Sequence, residues 1–360
     1  MLAAHYTVDD EIFTNKFQAI VKSKKVNSPV KFKLFDSAFD TVSWAEPSET
    51  WDQLLDRRAH QIVAKGRPIV LDFSGGSDSY TMYQVFKRNN IKLYAIHLRL
   101  KEKSTDNFQA AIDFLNKEKP DCKIFILYDS VDVLNNFYNS PEWVWKLSKI
   151  NFSISLAQAM NLEDHPDITD LPSNYIQVVG LEKPRFKIFG DKIYSFQPDT
   201  LYEYVTTRYT RLEYFFINSN LPELHVKQCH MLAKFIRGKA ALENKPLAHY
   251  ADIHNPEKHS YNEYCTWSGR FGDLVNSASQ KMANVNSTLV IPNFDVSKIK
   301  YTGRTETMFT HGFINGNQFM KNYVDGLLYV RQDSALRDVF GDAEDYYSVR
   351  AIDSKLYEII

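Results

Sequence analysis

Six consecutive residues, Ser74-Gly75-Gly76-Ser77-Asp78-Ser79, combine three hydroxyls, two glycines and one carboxylate. Adjacent glycines let a backbone turn tightly and approach a ligand closely. If a helix starts just after the turn, its free N–H groups and its dipole favour an anion there. Ser74, Ser77 and Ser79 would add hydroxyl donors. Asp78 is out of place in an anion cradle unless a divalent cation stands between its carboxylate and the anion. The chemistry this pattern suggests is therefore phosphate binding with a metal. The bland alternative is a Gly-Ser turn that joins a strand to a helix.

The flanking sequence supplies the elements such a cradle needs. Ile69-Val70-Leu71-Asp72-Phe73 is an apolar run that suits a strand buried on both faces, and Ser79–Arg88 has helical character. Further strands are predicted at Ile91–Leu98, Cys122–Tyr128 and Tyr175–Gly180, with a helix over Thr105–Lys117 and helical patterns continuing to Leu162. This alternation predicts an α/β fold, a mostly parallel twisted sheet with helices on both faces and right-handed crossovers. Ligands in such sheets bind beyond the carboxyl ends of the strands, where Ser74–Ser79 stands. A hairpin, Phe186–Phe196 with Gly190-Asp191 at its turn, ends the alternation.

The run matches, without a gap, the SGGxDS pattern of the PP-loop. On it the chain resembles the PP-loop, or N-type, ATP pyrophosphatases, a superfamily with GMP, NAD, asparagine and argininosuccinate synthetases and several tRNA-modifying enzymes. It differs from a Walker A loop, since no GxxxxGK[ST] is present. The broader layout is similar to uncharacterised asparagine synthase-like proteins, some of them phage-encoded. That likeness rests on Arg57-Arg58-Ala59, the SGGSDS loop, Gly180–Arg185, and Leu221-Pro222-Glu223 leading to Lys227-Gln228-Cys229-His230. The resemblance implies an adenine nucleotide alpha hydrolase-like fold, with ATP and Mg²⁺ as cofactors. Ser74, Gly75, Gly76, Ser77, Asp78 and Ser79 would hold the leaving pyrophosphate, and Asp78 would be the metal's main protein partner.

Two other strand ends join this expectation. His97, with Arg99, closes the second predicted strand, where the resemblance implies contacts to adenosine; a polar strand-end residue is the alternative. Gly180-Leu181-Glu182-Lys183-Pro184-Arg185 closes the fourth. Gly180 would let a ligand approach the backbone, Glu182 is a second candidate metal ligand, and Lys183 and Arg185 could neutralise departing pyrophosphate. Asp78, Lys183 and Arg185 are the catalytic candidates. A charged surface turn is the competing reading of this segment.

With 360 residues, the chain has room for more than one domain. An N-terminal extension and lead-in helix are expected over 1–66, the ATP-binding α/β domain over 67–198, and a mainly helical substrate or partner domain over 199–360. The lead-in helix, Glu49–Lys65, places Trp51, Leu54, Leu55, Ala59, Ile62 and Val63 on one face, leaving Arg57, Arg58 and Lys65 as solvated charge. Another helix is predicted to start at Asn220-Leu221-Pro222-Glu223 and to stop at Gly238. On it His225 and His230 lie roughly 140° apart, a poor geometry for one metal, and Cys229 reads as a buried small residue. Tyr202, Tyr204, Tyr209, Tyr214, Phe215 and Phe216 read as packing before base-stacking. Arg304 and His311 are weak candidate substrate contacts.

Composition narrows the classes. Net charge is −1, which supplies no global attraction to nucleic acid, although a local basic patch is compatible with it. The three cysteines form no CxxC, arguing against a zinc ribbon, an iron–sulfur site or a disulfide framework. The start lacks a signal-peptide pattern and no run approaches the ~18 apolar residues of a membrane span, so a cytoplasmic location is expected, in a host's cytoplasm if the protein is viral. Residue 2 is leucine where glutamine-dependent relatives carry cysteine, so ammonia would come free or from a separate donor. The leading expectation is an AMP-forming ligase that adenylates a carboxylate or carbonyl group and transfers it to an amine or ammonia. The acceptor, small molecule or macromolecule, is unnamed by the sequence. The alternatives are a tRNA- or DNA-base-modifying enzyme of the same superfamily and a non-catalytic nucleotide-binding protein.

Overall fold

The computed structural model describes residues 4–14, 16–73, 75, 77–101, 106–129, 170–180, 184–199, 211–250 and 352–360. The helical patterns expected up to Leu162, the tyrosines Tyr202, Tyr204 and Tyr209, and Arg304 and His311 lie outside these residues.

The centre is a five-stranded parallel sheet. Its strands are β4 (Ile69–Asp72), β5 (Ala95–Lys101), β6 (Lys123–Asp129), β7 (Ile176–Val179) and β10 (Leu212–Tyr214). Their spatial order is β10-β7-β4-β5-β6, and every pairing is parallel. The expectation of an α/β fold built on a parallel sheet holds. Numbered within the sheet, the order is fifth-fourth-first-second-third, so the chain reverses its direction of travel between β4 and β7.

One face of this sheet carries Ile69, Leu71, Ile96, Leu98, Ile176 and Val178, which join the main apolar cluster. Three helices cover that face, α3 (Trp51–Val63), α4 (Ser77–Arg88) and α5 (Asp106–Glu118). Their buried side chains include Leu54, Leu55, Ala59, Ile62, Met82, Val85, Phe86, Ala111 and Leu115. The opposite face carries Val70 and Ala95, packed with Tyr175, Tyr94, Phe125 and Leu171. No described helix of the α/β unit lies on that second face.

The lead-in helix forms where periodicity predicts. Thr50 caps it with a reciprocal capping box: Thr50 Oγ1 accepts from the Gln53 N–H, and Gln53 Oε1 accepts from the Thr50 N–H. Gly66, at φ +62°, ends the turn. The expectation that Arg58 is solvated is corrected. Arg58 is fully buried, donating to the Phe215 and Tyr214 carbonyls and to Glu213 at 2.5 Å. Lys65 also binds Glu213. Burial raises the Glu213 carboxyl, but Arg58 and Lys65 together outweigh it and hold it below the usual range. This pair ties α3 to the far edge of the sheet.

Two element boundaries differ from expectation. The second sheet strand starts at Ala95, because Asn90 turns the chain at φ +53° and Ile91 still bonds back to the end of α4. The helix predicted to stop at Gly238 continues. This α6 runs Pro222–Leu242, since burial of Leu232, Ala233, Ile236 and Ala240 outweighs the ~1 kcal/mol glycine penalty.

Two smaller sheets flank the centre. β1 (Ala4–Val8), β2 (Glu11–Phe13) and β3 (Lys31–Leu34) form an antiparallel sheet in the order β2-β1-β3, with α1 (Lys16–Val26) inserted before β3 and α2 (Asp36–Phe39) following it. The expected hairpin is β8 (Arg185–Phe189) and β9 (Lys192–Phe196), turned by Gly190 at φ +62°. Its free edge pairs with β11 (Tyr357–Glu358). Tyr357 stacks on Trp44, with ring centroids 4.6 Å apart. None of the described helices is long and apolar enough to cross a membrane.

Candidate functional site

The strand order reverses between β4 and β7, and at such a reversal a parallel sheet forms its ligand crevice, at the carboxyl edge of the strands. A glycine of the loop after each strand is described: Gly75 packs on α5, and Gly180 packs on the first turns of α4. Gly75 follows β4 with φ +72° and is buried. A Cβ built on it would lie 2.7 Å from Ala111 Cβ and 3.3 Å from Ala111 Cα on α5. Both the left-handed backbone and the absence of space demand glycine here. Gly75 is thereby held against α5, two residues before α4 begins.

α4 begins at Ser77 and has Asp78 in its first turn. An acid there already complements the helix dipole. Ser79 is buried. Gly180 follows β7, and a Cβ on it would lie 2.8 Å from Met82 Cε and 3.1 Å from Asp78 Cβ. The backbone leaving β7 therefore lies directly on the first turns of α4. Gly75, Ser77, Asp78, Ser79 and Gly180, picked from two distant stretches of sequence, converge on one helix N-terminus.

Ser74, Gly76, Glu182 and Lys183 lie outside the described residues. Arg185 opens β8 in the antiparallel sheet; its Nε is buried without a hydrogen-bond partner, and no described contact joins it to the loop. His97 is the third residue of a seven-residue strand, not its last. It nonetheless stands at the level where β4 ends, paired in register with Asp72.

That pairing exposes two residues that sequence reasoning missed. His97 Nδ1 is 2.8 Å from Asp72 Oδ1. Gln177 Nε2, from β7, donates to Asp72 Oδ1 and Oδ2 at 2.9 and 2.8 Å. The three side chains share the second sheet face. The signal was present: Asp72 and Gln177 interrupt otherwise apolar strands, Ile-Val-Leu-Asp and Ile-Gln-Val-Val, and buried polar groups in such runs are held by partners.

Among the described residues no group of three or more His, Cys, Asp and Glu side chains is arranged to cage a metal. Mg²⁺ is commonly held by one or two carboxylates together with phosphate oxygens. Asp78, at the helix N-terminus where phosphate would sit, is such a carboxylate. His225, by contrast, is committed to packing: its Nε2 lies 3.3 Å from Ser195 Oγ and 3.5 Å from Cys229 Sγ, fully buried. No family model matches this chain, and no curated protein matches it either.

Proposed function

We propose that the chain is an ATP-dependent, AMP-forming ligase of PP-loop type, with an adenine nucleotide alpha hydrolase-like fold and a cytoplasmic location. The observation that carries this reading is the convergence of Gly75, Asp78 and Gly180 at the N-terminus of α4, in the crevice between β4 and β7. A tight glycine loop feeding a helix N-terminus at a strand-order reversal is suited to a polyphosphate. In this reading the loop backbone and the Ser79 hydroxyl bind the β- and γ-phosphates. Asp78 would hold Mg²⁺, which would supply neutralisation of the phosphate charge. Glu182, Lys183 and Arg185 are the proposed further contacts to metal and departing pyrophosphate.

The reaction follows from which phosphates are held. Grip on the terminal pair makes pyrophosphate the leaving group and directs a carboxylate or carbonyl oxygen to the α-phosphorus. A nitrogen nucleophile, free ammonia or an amine, then displaces AMP. The residues contribute by positioning and charge neutralisation.

The test is product identity. The protein is incubated with Mg·ATP and a deproteinised metabolite extract, and nucleotides are separated. AMP and pyrophosphate are expected, falling by about 10²–10³-fold in Asp78→Ala. ADP and inorganic phosphate as products would overturn the reading.

A further inference from the structure

The chain Gln177–Asp72–His97 crosses three neighbouring strands on the second face of the sheet. Val70 pairs with Gln177 and Asp72 pairs with His97, and β4 alternates, so all three side chains project from that face. A carboxylate without its proton is an acceptor only. Asp72 Oδ1, facing donors from Gln177 and from His97, therefore fixes the imidazole as the Nδ1–H tautomer. The Nε2 lone pair is then the free end of the chain. His97 is 4% exposed, and its Nε2 is buried without any hydrogen-bond partner.

A buried nitrogen left without a partner is destabilising, because it has lost its hydrogen bond to water and gained none. The neighbouring positions on this face, Val70 and Ala95, are apolar, and an apolar residue at 97 would avoid that cost. The cost is instead sustained at the level where β4 ends, one strand away from the crevice. An imidazole held in one tautomer by a carboxylate, with its other nitrogen buried and unpartnered, is equipped to take a proton from a group brought against it.

We propose that His97 is the proton acceptor for the nitrogen nucleophile in the transfer half of the reaction, and that Asp72 and Gln177 are its positioning residues. This rests on the adenylation reading above. The nucleophile's lone pair forms the new C–N bond. The C–O bond to AMP breaks, and its electron pair leaves on the phosphate oxygen. The N–H proton passes to Nε2, and the resulting imidazolium is held by Asp72 until it releases the proton to water.

The test separates the two halves of the reaction. With an ammonia-free, deproteinised metabolite extract as source of the acid, labelled pyrophosphate exchange into ATP reports adenylation. AMP formation on adding ammonium chloride or hydroxylamine reports transfer. His97→Gln is expected to lose about 10²–10⁴-fold in ammonia-dependent AMP formation, and at least about tenfold less than that in exchange. Hydroxylamine, already a neutral and stronger nucleophile at pH 7, should restore most of that loss. Asp72→Asn, which disturbs the tautomer, should show the same split, with Gln177→Leu milder; these two variants carry the test if His97→Gln does not fold. Equal loss of exchange and transfer in these variants, or loss of neither, overturns the assignment alone. Absence of exchange in the wild type overturns the adenylation reading and the assignment with it.

Discussion

His225 illustrates how burial settles the role of a single side chain. Its ring lies among Phe39, Trp44, Ser195 and Cys229. Burial pushes its pKa down to about 3 and pushes the Cys229 thiol up to about 12. Both are therefore neutral at pH 7, and Cys229 carries no thiolate that could act as a nucleophile. The folded-state pKa of His225 lies below its ordinary 6.5, so the unfolded chain binds the extra proton first. The stabilisation is complete above pH 6.5 and is lost as pH falls toward 3, at up to about 1.4 kcal/mol per pH unit. Urea midpoints measured between pH 7 and 4 should fall more steeply for wild type than for His225→Gln. Arg58 was not legible in the same way: its partner Glu213 lies 155 residues away, and nothing near Arg58 announces it. Asp72 and Gln177 were more legible, because a polar residue in a buried strand needs a partner somewhere.

At the scale of elements, the two glycines at the crevice make separable predictions. Gly75→Ala combines a left-handed backbone with a clash against Ala111 Cβ, so it should lower stability by roughly 1–3 kcal/mol, read from the thermal midpoint. Gly180→Ala meets mainly the flexible end of Met82, which can yield, and Asp78 Cβ, which must shift. Its stability should stay within about 1 kcal/mol of wild type, while calorimetry should show Mg·ATP binding weakened about tenfold, or 1.4 kcal/mol. The strand–turn–helix unit around these glycines was legible because its signals are local: an apolar run, a glycine pair and a helical period. The true start of β5 and the continuation of α6 past Gly238 were not, since tertiary burial decided both. Ile91 and Leu93 find apolar contacts before the strand begins, and α6 keeps its buried face beyond the glycine.

For the whole molecule, the least local feature is the return of residues 352–360. β11 completes the hairpin sheet, Tyr357 stacks on Trp44, and Asp353 binds Lys187. Burying Tyr357 and Ile359 contributes about 1.5–3 kcal/mol for each large side chain. Deleting residues 352–360 should lower the urea midpoint and increase binding of an apolar dye; an unchanged midpoint would contradict the packing role. Neither this return nor the fifth sheet strand at 212–214 was legible in the sequence, because short strands with distant partners carry almost no local pattern. Pairing Glu358 with Tyr194 also imposes an order on synthesis. A chain growing on the ribosome can assemble the glycine loop and most of the parallel sheet early, but the edge of β9 stays open until the last of these residues emerges. During that interval the β9 edge is available to other nascent chains, so aggregation should depend on how fast the stretch between β9 and β11 is translated.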